Sequence, residues 1–155
     1  KIKRKKENLD LDSEQALELL EKLQIMSTDM GIKYAGLDYS LDNMKLKDMT
    51  PFSFTKVIFG GTLVNANDNL RYDERFKINE DVEFWVQKLN LHRKLLKDNQ
   101  YAMVFYGDDG GKDSVIGYDR NDARVYATML NNKWGKQIMV WEKGRFRFKT
   151  PIKGA

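Results

Sequence analysis

The chain contains no cysteine. That excludes a disulfide framework and any cysteine-ligated zinc site, and it fits a reducing cytoplasm. Histidine occurs once, as His92. One imidazole cannot build a conventional histidine-rich metal centre, and a Ser-His-Asp triad would have to turn on that one residue. No nucleophile-elbow motif accompanies it, so His92 reads as a structural or surface residue. No apolar run reaches roughly 18 residues, so no membrane span is expected. No signal-peptide pattern opens the chain, and no internal repeat is visible. Proline is scarce, with two in all, and Pro51 closes a polar stretch over 40–51 that reads as a surface loop.

What is present is enough for a core. The 155 residues are 41% hydrophobic and 12% aromatic, which suits one domain and argues against disorder. Charged residues make up 32%, with a net charge of +4. That excess permits a polyanionic partner without demanding one. The first residue is Lys1 and the chain opens Lys1-Ile2-Lys3-Arg4-Lys5-Lys6. Residues 1–12 read as a basic linker or tail, with a phosphate-contacting arm as the sharper alternative. Residues 13–150 read as a single α/β domain.

Periodicity supplies the elements. Asp12-x-x-Gln15 resembles a capping box, and Ala16, Leu19, Leu20, Leu23, Met26 and Met30 follow at helical spacing to a stop at Gly31. A helix is expected over about 13–30. A short strand follows over 33–38, then two strands, or one bent strand, around Gly60-Gly61 between Phe52 and Val64. From Asp81 the positions Val82, Trp85, Val86, Leu89, Leu91, Leu95 and Leu96 predict a helix reaching Asp98-Asn99. A strand over 101–106, a glycine-rich loop over 107–113, a helix over 120–133 stopped by Gly135, and strands at 137–141 and 145–148 complete the order. The fold class this implies is α/β with a mixed sheet and flanking helices.

The chemistry candidates are carboxylates. Glu80 and Asp81 stand where the second helix begins, with Glu83 close behind. A helix N-terminus carries partial positive charge and unpaired N–H groups, so it can hold and orient an ionised base. The plainer alternative is that Asp81 is an N-cap. Asp73 and Glu74, flanked by Arg71 and Arg75, form a second cluster, and a chain reversal could bring Asp73 to the Glu80–Asp81 pair. Such paired carboxylates could share acid–base work, bind a divalent cation, or make ordinary surface ion pairs. The Asp108-Asp109-Gly110-Gly111 loop could hold a hard metal ion or a phosphate, or simply connect elements. Lys133-Trp134 could stack on a base or sit in the core, and Arg145, Arg147, Lys149 and Lys153 interleave with aromatics in a weak nucleic-acid pattern.

Taken in order, Met30-Gly31, Gly36-Leu37-Asp38, Pro51-Phe52-Ser53, Gly60-Gly61, Arg71-Tyr72-Asp73-Glu74, Lys77-Ile78-Asn79-Glu80-Asp81, His92-Arg93, Gly110-Gly111 and Lys133-Trp134-Gly135 resemble the TET-associated glycosyltransferases. These are GT-A-like enzymes, found largely in bacteriophages, implicated in glycosylating hydroxymethylated pyrimidines in DNA. The resemblance covers most of residues 13–142. It implies a fold like the C-terminal part of a GT-A enzyme, a nucleotide-sugar donor, DNA as acceptor, and a divalent cation, Mn or Mg. It implies Asp81 as catalytic base with Glu80 beside it, and Asp73, Gly110, Gly111, Lys133 and Trp134 near the substrate. It also implies the cytoplasm of an infected bacterial host. Two departures stand out. Where the family reads Glu-Asp-Tyr-Asp, this chain has Glu80-Asp81-Val82-Glu83. The nucleotide-binding half with its Asp-rich motif would have to precede Lys1, so the chain is expected to be either the acceptor-side, C-terminal part of the enzyme or a relative that has lost donor binding.

Overall fold

The computed structural model describes residues 1–38, 50–56, 58, 61–64, 69–104, 120–135, 137–143 and 145–149. In chain order these give β1 (Ile2–Arg4), β2 (Leu9–Asp10), α1 (Ser13–Asp29), β3 (Tyr34–Asp38), β4 (Phe52–Ser53), β5 (Thr62–Val64), α2 (Glu80–His92), β6 (Leu96–Met103), α3 (Arg120–Trp134), β7 (Met139–Glu142) and β8 (Arg145–Phe148). The architecture is mixed α/β, with a mixed sheet and three helices among the described residues.

The main sheet runs β2-β1-β6-β3-β5, with β4 also paired to β6. Only β3 and β6 are parallel; the other pairs are antiparallel. The β3–β6 register jumps from Leu37↔Asp98 to Asp38↔Ala102, so β6 bulges over residues 99–101. Asn99 holds that bulge. Its amide group donates to the Thr50 carbonyl at 2.9 Å, and its backbone N–H donates to the Pro51 carbonyl at 2.8 Å.

α1 starts where the sequence signals it. The Asp12 carboxylate accepts from the Gln15 N–H at 2.8 Å, and the Gln15 side chain accepts from the Asp12 N–H at 3.2 Å. This is a reciprocal capping box, which satisfies two N–H groups that helix geometry leaves open. Gly31 ends the helix at φ +65, a conformation that costs glycine little. Leu19, Leu20, Leu23 and Met26 then cover the sheet face formed by Ile2, Ala35, Leu37 and Leu96.

α2 works on two sides. Trp85 and Leu89 pack with Tyr34, Ile58 and Leu95 on the opposite sheet face. Val82 and Val86 join Phe76, Ala127, Leu130, Ile138 and Met139, the core between α2, α3 and the β7–β8 hairpin. A helix buried along two stripes fixes the second layer to the first.

Two expectations need correction. The basic opening is not a solvated tail. Ile2–Arg4 pairs with both β2 and β6, and Lys5 is buried. The cause is alternation: Ile2 enters the α1 core while Lys5 finds a carboxylate partner on the sheet. The second helix also ends at His92 rather than near Asp98. Arg93 turns left-handed at φ 64, with its N–H on the Leu89 carbonyl, and Leu95 and Leu96 are buried by the sheet instead. The strand therefore begins at Leu96 rather than Tyr101. The glycine-rich loop over 107–113 and most of the 40–51 loop lie outside the described residues.

Gly36 marks the tightest approach in the sheet. A Cβ there would collide with the Gly61 carbonyl oxygen and the Ile58 side chain, so β3 and β5 approach closely only because the side chain is absent. Gly36→Ala is expected to destabilise the fold by about 2 kcal/mol, the usual cost of overpacking. Urea unfolding monitored by far-UV circular dichroism checks this.

Candidate functional site

The N-terminal end of α2 collects most of the carboxylates singled out by sequence. Its cap is Asn79 in a left-handed conformation, with no side-chain capping bond; Asp81 is the second helical residue and not the N-cap. It still serves the helix start, because its Oδ1 accepts the Val82 N–H at 2.7 Å, one of the four donors without an intrahelical acceptor. Asp81 is exposed as a residue. Water withdrawn from around its carboxyl nonetheless raises its pKa above the ordinary aspartate value. The neighbouring Glu80 carboxylate adds to the rise, and the Val82 N–H opposes it. Glu80 is exposed beside it.

Glu83 occupies the opposite situation. Two residues on, it is rotated about 200° around the helix axis and is wholly buried. Three donors meet its carboxylate. Lys133 Nζ lies 2.7 Å and Trp134 Nε1 3.1 Å from Oε1, and Gln87 Nε2 lies 2.6 Å from Oε2. Lys133 also reaches Asp73 Oδ2 at 2.8 Å. Asp73 in turn takes both the Nε and an Nη of Arg75, at 2.8 and 2.7 Å. Gln87 donates a second bond, to the Arg71 carbonyl at 3.0 Å. This network ties the 71–76 segment, α2 and the end of α3 together.

The chain therefore does turn back on α2, but Asp73 is joined to Glu83 through Lys133. Of the expected substrate-side residues, Asp73, Lys133 and Trp134 converge here, whereas Gly110 and Gly111 lie outside the described residues. Lys133 is committed to two carboxylates, and Trp134 packs on the α2–α3 core with its indole N–H spent on Glu83. Lys133 stays exposed and Trp134 half-buried. The Arg75 guanidinium, followed by the Lys133 ammonium, holds the Asp73 carboxyl far below its usual value. Lys133 is raised: burial disfavours its charge, but the two carboxylates outweigh that.

A second charged cluster went unnoticed in the sequence. On the α2-facing side of the sheet, Asp38 bridges the ammonium groups of Lys5 at 2.5 Å and Lys97 at 2.9 Å; all three residues are buried. Burial pushes the Asp38 carboxyl up, but two ammonium groups pull it further down. Lys97 moves down as well, because burial outweighs its share of the one carboxylate. The two directions agree once the sharing is counted: Asp38 has two partners and each lysine has part of one. Asp98, buried in β6, is raised by burial against the N–H groups of Gln100 and Tyr101. Two lysines and two aspartates thus balance in charge, and the cluster reads as a strut under the sheet.

No family model, no curated protein and no solved structure matches this chain. The site's chemistry therefore rests on its own geometry. Among the described residues, no three of His, Asp and Glu come together in a way that could hold a metal ion. No described helix is long and apolar enough to cross a membrane. His92 sits against the Tyr34 ring at 5.3 Å, in keeping with a structural role. The Lys88 ammonium is buried over Trp85, Phe84 and Tyr34, at 3.8, 3.9 and 4.4 Å from the ring centroids, a cation–π arrangement.

Gln87 and Lys88 gave little sequence signal. The i,i+4 spacing of Glu83 and Gln87 was the available clue. Lys97 and Asp98 were obscured by their assignment to the helix.

Removing the Lys133 ammonium strands the buried Glu83 carboxylate. Lys133→Met is expected to cost about 2 kcal/mol, short of the full penalty for a broken buried pair because Lys133 keeps some solvent contact; chemical denaturation checks this. The depressed Asp73 carboxyl gives a pH signature. The unfolded chain takes up that proton at higher pH than the folded one, so the stabilisation is complete above about pH 4 and is lost as pH falls further. Asp73→Asn should flatten the acid side of the stability–pH curve, measured by thermal melts in a buffer series.

Proposed function

We propose that this chain is the acceptor-side part of a GT-A-like glycosyltransferase. In this reading it moves a sugar from a nucleotide-sugar to a hydroxymethylated pyrimidine in DNA. The observation that carries the reading is Asp81: a solvent-reachable carboxylate of raised proton affinity, in the first turn of a helix whose start is clamped. Raised basicity combined with fixed position is what general-base catalysis needs. The ordered resemblance across residues 13–142 supplies the reaction class.

In the reaction, the hydroxymethyl oxygen of the acceptor attacks the anomeric carbon of the donor sugar. The bond from that carbon to the diphosphate breaks as the new C–O bond forms, and the hydroxyl proton passes to the Asp81 carboxylate. Glu80 keeps negative charge beside Asp81 and so favours proton uptake. Glu83, Lys133, Asp73 and Trp134 position the base by holding α2 against the 71–76 segment and α3. A target base within a duplex must leave the stack to reach Asp81. Among the described residues, no three acidic or histidine side chains come together to hold the divalent cation that the resemblance implies.

A nucleic-acid-binding protein without transfer activity is the second reading. The cations clustered at the β7–β8 hairpin favour it, and it requires binding that ignores nucleotide-sugar.

Transfer from labelled nucleotide-sugar to hydroxymethylated DNA tests the proposal, using protein that includes the donor-binding half. Asp81→Asn should lower the rate at least about 100-fold with an unchanged circular dichroism spectrum. An active, folded Asp81→Asn variant removes Asp81 as the base. The wild-type rate should rise with pH through a value above the ordinary aspartate range, because only ionised Asp81 accepts the proton.

A further inference from the structure

The β7–β8 hairpin concentrates charge and aromatic surface in a way that its packing does not require. The register pairs Met139↔Phe148, Val140↔Arg147, Trp141↔Phe146 and Glu142↔Arg145. Alternation puts Met139, Trp141, Phe146 and Phe148 on one face. Met139, Phe146 and Phe148 serve the α3-side core. Trp141 extends past it: the residue is 59% exposed and stands edge-on to Phe146, with ring centroids 4.9 Å apart.

The turn and the face of Arg147 and Lys149 are basic. Four cations, Lys143, Arg145, Arg147 and Lys149, fall within seven residues, and Glu142 is the single carboxylate on the two strands. Glu142 contacts both Lys149 and Arg147, the latter at 3.9 Å, and both cations stay partly exposed. The Arg147 Nε makes no hydrogen bond. One carboxylate shared by several cations leaves the hairpin with net positive charge. Arg147 and Lys149 lie on the face opposite Trp141, and Lys143, two residues from Trp141 in the turn, stands at the end of the hairpin where a bound strand passes from one face to the other.

We infer that this hairpin binds an unpaired stretch of nucleic acid. The phosphates run along Arg147, Lys149 and Lys143, and one base stacks on Trp141. Charge complementarity selects a polyanion, and an exposed indole beside cations selects one with accessible base faces, hence a single strand rather than an intact duplex. The inference rests on the proposed function only in taking DNA as the strand. An acceptor base drawn out of its duplex would leave just such an unpaired segment to hold.

Fluorescence anisotropy with a labelled single-stranded oligodeoxynucleotide and no sugar donor tests this. Binding should weaken with salt. Trp141→Ala should weaken it roughly tenfold with the salt slope unchanged, and Trp141→Phe should restore most of the affinity. The Arg147→Gln/Lys149→Gln double variant should lower the salt slope by roughly one unit. Three results would each overturn the inference: no binding at low salt, equal affinity for duplex with Trp141→Ala without effect, or a salt slope indifferent to the double variant. Hairpin-dependent binding without any sugar transfer would overturn the proposed reaction instead, so the two failures can be told apart.

Discussion

The buried carboxylate of Glu83 is the constraint on which this arrangement depends. A carboxylate removed from water is costly unless it is paired and fully hydrogen-bonded. Glu83 meets that demand with three donors drawn from two elements: Gln87 of α2, and Lys133 and Trp134 of α3. Each donor has a consequence elsewhere. Lys133 brings Asp73, Gln87 brings the Arg71 carbonyl, and Trp134 closes the α2–α3 core. Satisfying one charge therefore fixes the entry to α2, and with it the place of Asp81.

The Asp81 and Glu83 environments divide two neighbouring carboxylates into different roles. Glu83 is saturated and buried, and its contacts are with its own chain. Asp81 keeps solvent contact, and the withdrawal of water from around its carboxyl raises its pKa. The sheet has its own buried charges, but there Lys5, Lys97, Asp38 and Asp98 balance one another. The contrast with the β7–β8 hairpin is direct: its cations outnumber its carboxylates at the surface, where charge costs little to maintain.

Much of the fold is visible in local sequence signals. The Asp12–Gln15 box, the stop at Gly31, the helix ending before Gly135 and the β8 strand all follow from short-range rules. The second helix shows the limit of such rules. Leu95 and Leu96 continue an apolar pattern that reads as helix, yet Arg93 turns left-handed and both leucines are claimed by the sheet. The basic opening shows another limit, since pairing with β6 depends on a strand about 100 residues away. Among the site residues, Asp73 and the Lys133-Trp134 pair each stand out locally, but nothing local joins the one to the other. Their joint dependence on Glu83 is a long-range fact.

By itself the sequence determined the three helices, the cap and stop of α1, the absence of cysteine chemistry, and the presence of an acidic pair where α2 begins. These follow from periodicity and from the hydrogen-bonding needs of nearby backbone. The tertiary structure decided which carboxylate is buried and which is open, how Lys133 and Trp134 come to meet Glu83, and how Lys5 and Lys97 come to share Asp38. The reason is physical: burial and charge pairing depend on which distant segments meet, and a local pattern of residue types does not encode that meeting.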